Sequence, residues 1–121
     1  MSAVLLIALG GGAGALLRYA VQRMFAARTG HPRAGTLLVN LAGTFALGLL
    51  TGLPIASEQR AAQLLAGIGF LGGLTTFSTV MAQLAELLRA GRFRDAAAYG
   101  LSTFGCGLAL AAAGYVFGSW I

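Results

Sequence analysis

The chain has one cysteine, one histidine, two prolines, three acidic residues and no lysine among its 121 residues. Each scarcity excludes something. Cys106 alone can form no intrachain disulfide and offers no dithiol chemistry. His31, Glu58, Glu86 and Asp95 all stand at or near the ends of apolar runs, so no metal cluster or nucleophile–base pair can be assembled from them, and the chain reads as a non-enzyme. Charged residues make up 9% of the sequence, against about 25% in soluble domains. What remains is 58% hydrophobic, with a mean hydropathy of +0.84.

That composition is laid out in long uncharged runs. Residues 1–17, 34–57, 61–85 and 96–121 carry no charge, and the longer three have 24, 25 and 26 residues. At ~1.5 Å per residue, each can cross a ~30 Å hydrocarbon core. The first reaches spanning length by continuing through Arg18 to Gln22. We therefore expect an all-α integral membrane protein, a single four-helix domain over residues 1–121, with helices near 3–22, 35–54, 61–88 and 96–120. The first run lacks a basic segment ahead of its apolar part, which argues against a cleaved signal peptide.

The net charge of +5 does not point to nucleic acid, because the arginines sit in short loops where lipid phosphates are the natural counter-charge. Gly10-Gly11-Gly12-Ala13-Gly14-Ala15 fits a loose dinucleotide pattern, but there is no strand before it and no acid about 20 residues beyond it. Small residues also recur at Gly10/Gly14, Gly48/Gly52, Gly69/Gly73 and Gly114/Gly118. This spacing lets helix backbones approach closely, and in so thin a bundle it suggests an oligomer. The short connections, 23–33, 55–60 and 89–95, make consecutive helices antiparallel neighbours. His31-Pro32 marks a turn, and Trp120 suits an interfacial anchor.

The polar residues within the spans carry the functional signal. Gly72-Gly73-Leu74-Thr75-Thr76-Phe77-Ser78-Thr79 is poor filler for a membrane helix. Irregular backbone at that depth is tolerated only inside protein or along a polar path, so the octapeptide reads as a helix break at an ion site, with Thr76, Ser78 and Thr79 supplying hydroxyls. Arg18 is either a snorkelling side chain or an anion attractor at a vestibule. Asn40, with Thr36, Gly43 and Thr44 on its face, is either interhelical glue or an amide donor to an anion. Phe77 either packs or turns its electropositive edge to an anion. Tyr99, Ser102 and Thr103 extend a polar track or bond back to their own helix.

Taken together, three segments resemble the Fluc/CrcB family of fluoride channels: Gly11 through Tyr19, Gly35 through Phe45, and Gly69 through Thr79. The resemblance covers essentially the whole chain. It implies a dual-topology dimer of antiparallel four-helix subunits, with two pores along the subunit interface that pass fluoride by electrodiffusion. It also implies one structural Na+ at the dimer centre, held by backbone carbonyls that fall here at Gly72 and Thr75. Asn40 then lines the pore, Phe77 is the first of two edge-on phenylalanines, Arg18 matches the arginine ending the first helix, and Thr103 matches a polar-track serine. Two positions depart: Val80 stands where the second phenylalanine is common, and Gln83 where a glutamate is.

Arginine placement is lopsided. The first and third loops hold Arg23, Arg28, Arg33, Arg89, Arg92 and Arg94, while the side shared by the second loop and both termini holds Arg60. The positive-inside rule then puts both termini outside a bacterial-type plasma membrane. A chain of fixed orientation would serve as one half of a heterodimer with an oppositely oriented paralogue, rather than as a homodimer. Two rival functions remain. A small proton-coupled multidrug exporter needs an intramembrane carboxylate, and the first helix has none. A non-conducting accessory subunit is kept open by Val80 and Gln83.

Overall fold

A computed structural model describes residues 2–54 and 57–121. Four helical spans are long and apolar enough to cross a membrane: Ala3–Thr29, Arg33–Gly52, Ala61–Arg89 and Phe93–Trp120.

Helix α1, Ala3–Thr29, begins where the Ser2 hydroxyl accepts a hydrogen bond from the Leu5 N–H at 3.2 Å. It runs seven residues beyond the expected end at Gln22, because Arg23–Thr29 contains no helix breaker. Gly30 is the first residue to take a left-handed conformation (φ 78°), and its N–H closes on the Ala26 carbonyl at 2.9 Å. At ~1.5 Å per residue the 27 residues extend about 40 Å, longer than a ~30 Å core. The surplus turns carry Arg23, whose guanidinium lies 5.7 Å from the Tyr19 ring centre and donates to the Tyr19 hydroxyl at 2.9 Å.

Helix α2, Arg33–Gly52, gives way to extended backbone at Leu53, as the residue before Pro54 prefers. Helix α3 covers residues 60–74 and widens to i→i+5 hydrogen bonding over Leu65–Leu71. Helix α4, Ser78–Arg89, completes the third span. Gly91, with φ 73°, turns the chain into helix α5, Phe93–Trp120, which has a second wide turn at Ser102–Cys106. An exposed Arg92–Asp95 ion pair of 2.6 Å sits at its start.

The glycine pairs seat the first span on the third and the second on the fourth. A Cβ at Gly48 or Gly52 would run into the carbonyl oxygens of Ala111 or Tyr115. One at Gly114 or Gly118 would strike those of Phe45 or Leu49. Gly14 faces the Phe70 carbonyl in the same way, and Gly73 faces that of Gly11. Residue numbers advance together along both seams, so the paired spans run parallel, as alternate members of an up-and-down bundle do. The small-residue spacing taken above as a sign of oligomerisation is therefore occupied within one subunit. The reason is physical: backbones this close leave those glycine faces no room for a partner helix.

Two small apolar clusters flank the middle of the bundle. One joins Val80, Leu87, Ala96 and Tyr99, the other Val39, Leu71 and Leu74. Large apolar side chains such as Leu16, Leu101, Leu108 and Trp120 face outward.

Candidate functional site

Between the two clusters the third span loses its helical hydrogen bonding. The helix ends at Leu74, Thr75 is extended (φ −83°, ψ 157°), and helix resumes at Ser78. Each polar group released over this stretch has a specific fate. Thr75 N–H and Oγ1–H both donate to the Leu71 carbonyl, each at 3.0 Å. Thr76 N–H turns to Asn40 Oδ1 at 2.8 Å, and Asn40 Nδ2 donates to the Thr76 carbonyl at 3.0 Å. Asn40 thus takes both backbone groups of a single residue. The Gly73 carbonyl accepts from Arg18 Nε at 3.2 Å. Thr76 Oγ1 accepts from the Thr79 N–H at 3.2 Å and donates to Thr79 Oγ1 at 3.1 Å, which occupies an N–H of the first turn of α4. Ser78 Oγ lies 3.4 Å from the same hydroxyl.

Those exchanges leave two carbonyls over. In an uninterrupted helix Thr76 N–H would reach Gly72 and Thr79 N–H would reach Thr75, but both donors are engaged elsewhere. Among the described residues the Gly72 and Thr75 carbonyl oxygens receive no hydrogen bond. Neutral oxygen ligands on irregular backbone suit a hard monovalent cation. No cluster of three His, Cys, Asp or Glu side chains occurs among the described residues. Gly72 and Thr75 also border an apolar cleft of ≈ 400 Å³, together with Gly43, Leu47, Gly67 and Ile68.

A second groove, of ≈ 210 Å³, opens on another side of the interruption and is lined by Asn40, Thr44, Thr75, Thr76, Phe77 and Thr103, with Val80 and Phe104 completing it. Thr103 is 8% exposed, and its hydroxyl has no hydrogen-bond partner among the described residues. Phe77 is 66% exposed, its ring centre 6.2 Å from that of Phe104, with the planes tilted by 53°.

The structure brings Asn40, Thr76, Phe77 and Thr103 to one groove. Ser78 and Thr79 lie beside it in the first turn of α4. Arg18 reaches the interruption by way of Gly73, where its guanidinium holds a backbone carbonyl. Tyr99 is buried and donates its hydroxyl to Gln83 Oε1, away from the groove, and Ser102 is half-buried. Thr36, on the same face of α2 as Asn40, is fully buried and accepts from Gln22 Nε2 at 2.9 Å. Sequence reasoning missed Phe104. Its neighbour Thr103 was legible as a polar residue in an apolar span, but the wide turn at Ser102–Cys106 shifts the helical phase there, and no residue type announces that turn.

The family model described as CrcB-like protein, Camphor Resistance (CrcB), matches residues 5–115. A protein of Geobacillus kaustophilus (strain HTA426) named fluoride-specific ion channel FluC 1 is 42% identical, covering 98% of this chain and 99% of the relative. A protein of the same name from Parasynechococcus marenigrum (strain WH8102) is 43% identical over 96% of this chain and 93% of its own. One from Deinococcus radiodurans, named fluoride-specific ion channel FluC, is 44% identical over 93% and 92%.

Proposed function

The chain belongs to the CrcB-like, Camphor Resistance (CrcB) family, and from that premise we propose that it is a subunit of a fluoride-selective channel. It is a multi-pass membrane protein that lets cytoplasmic fluoride leave by passive electrodiffusion and so relieves fluoride toxicity. The observation that carries this reading is full-length similarity to relatives named fluoride-specific ion channels. The groove supports it chemically: an amide, hydroxyls and an aromatic ring converge with no carboxylate among them. Such a lining offers weak donors to an anion and no formal negative charge against it. It also lacks the intramembrane carboxylate that proton-coupled drug export requires.

The working unit in this proposal is an antiparallel dimer in a bacterial-type plasma membrane. An unpaired backbone carbonyl at bilayer depth costs several kcal/mol, so the Gly72 and Thr75 oxygens call for a partner from outside the chain. A Na+ ion held by these two carbonyls and their counterparts in a second subunit meets that need. When bound it supplies positive charge and a fixed geometry where two subunits meet, beside the apolar cleft. Relatives bearing the numbers 1 and 2 after the same name accord with a heterodimeric pair of oppositely oriented subunits. In this proposal Arg18 supports the path by holding the Gly73 carbonyl of the interruption, Tyr99 supports it by anchoring Gln83, and Ser102 adds a hydroxyl beside Thr103.

The test is fluoride efflux from liposomes under a fluoride gradient, with a potassium shunt and a chloride control. Fluoride-selective efflux from the protein alone supports a homodimeric channel. Efflux only after adding the paired subunit supports the heterodimer. Folded protein silent in both arrangements overturns the reading.

A further inference from the structure

The groove beside Asn40 holds a buried hydroxyl with nothing to bond and two aromatic rings that meet across its rim. Thr103 lines the groove, is more than nine-tenths buried, and its Oγ1 finds no partner among the described residues. A buried hydroxyl left unsatisfied keeps its full desolvation penalty, so it marks a place where something from outside the chain bonds. Asn40 presents the same opportunity: one N–H of its amide is engaged by the Thr76 carbonyl, and the other has no partner among the described residues.

The rings define what that occupant can be. Phe77 and Phe104 stay 66% and 45% exposed although an apolar groove lies beside them. Their centres are 6.2 Å apart at a 53° tilt, so they make a tilted pair and not a stack. The rim of a phenyl ring is electropositive and its face electronegative. Two exposed rings, together with a hydroxyl and an amide N–H that lack partners among the described residues, line the groove without a carboxylate, a set suited to a small anion. Val80 sits on the floor of the groove at 1% exposure, within the apolar cluster of Leu87, Ala96 and Tyr99, and has no aromatic edge to contribute.

We propose that Phe104, from the fourth span of the same subunit, contacts the permeant anion as a second aromatic ring beside Phe77, with Thr103 of the same groove donating its unpaired hydroxyl. This rests on the fluoride-channel reading above. It assigns selectivity to a residue of α5 and makes a pore wall without a ring at position 80 workable.

The experiment uses the full-length protein in liposomes, in whichever subunit arrangement conducts, and compares Phe104→Leu with Phe104→Tyr. Leucine nearly conserves volume but has no ring rim, whereas tyrosine keeps one. Loss of one ring–anion contact should slow fluoride efflux about tenfold in Phe104→Leu, equivalent to about 1.4 kcal/mol. Phe104→Tyr should restore most of that loss, with the same size-exclusion profile for all three proteins. Equal rates for the wild type and Phe104→Leu overturn the inference and leave the channel reading intact. Equal losses in both variants also overturn it, because they assign Phe104 to packing. A wild type that conducts in no arrangement overturns the channel reading and the inference together.

Discussion

Removing the Asn40 amide strips Thr76 of both its backbone partners, since Asn40 accepts from Thr76 N–H and donates to its carbonyl. In a bilayer neither group finds water as a substitute. Asn40→Ala should therefore lower stability by about 2 kcal/mol or more, read as a drop in the thermal midpoint in detergent, and fluoride efflux should fall with it. Asn40→Asp is more telling. A carboxylate still accepts from Thr76 N–H but donates nothing and sets a negative charge beside the groove, so efflux should fall further than stability does. A parallel case is Tyr99, whose hydroxyl gives Gln83 Oε1 a buried partner. Tyr99→Phe leaves that oxygen unbonded and should cost about 1–3 kcal/mol. If Tyr99 serves the fold more than the path, the midpoint should shift while efflux per folded protein changes less than twofold (a ceiling of about 0.4 kcal/mol).

At the scale of elements, the bundle is held by seams of backbone against backbone. Gly48→Ala pushes a methyl into the Ala111 carbonyl and forces α2 and α5 apart. Insertion of this kind typically costs 1–3 kcal/mol. Gly12→Ala on α1 meets nothing within 4 Å, so helix propensity alone should act and raise stability by about 0.5–1 kcal/mol. Opposite shifts of the unfolding midpoint in detergent for these chemically identical substitutions would confirm the seam. The four spans were legible because the bilayer imposes length and apolarity directly on the sequence. The octapeptide at residues 72–79 stood out because glycines and hydroxyls are costly in such a helix. Asn40 was legible as a buried amide, but its partner was not: nothing in the sequence pairs α2 with Thr76 in particular. The two wide turns were also unreadable, since the weak helix formers of Leu65–Leu71 and Ser102–Cys106 do not distinguish a wide turn from an ordinary one. They alter the helical phase around Thr103 and Phe104, so Phe104 could not be assigned to the groove by counting residues. The extra length of α1 escaped for the opposite reason, because polarity marks the membrane surface while only Gly30 marks the end of the helix.

For the molecule as a whole, the arginine distribution is the feature with consequences beyond one subunit. Helix α1 carries Arg23 and Arg28 past Gln22 toward the short turn at Gly30–Pro32, so they remain on the side of Arg33 despite the shorter connection. The third connection, between α4 and α5, adds Arg89, Arg92 and Arg94 on that same side of an up-and-down bundle. Arg92 is engaged by Asp95, but an exposed ion pair of this kind is worth at most about 1 kcal/mol, and acidic residues contribute little to topology. The bias therefore survives in the folded chain, and both termini should lie outside. A C-terminal reporter active only in the cytoplasm should stay silent, while one active only outside should give full signal. Equal signals from the two reporters would mean that the chain inserts both ways and can supply both halves of its own dimer. A single orientation makes self-pairing in antiparallel fashion impossible in cells, so fluoride resistance conferred by this chain should then require co-expression of a subunit with the reverse arginine bias. Random insertion into liposomes removes that restriction. A chain that conducts in liposomes yet protects cells only with its partner would identify orientation, and not the groove, as the reason for pairing.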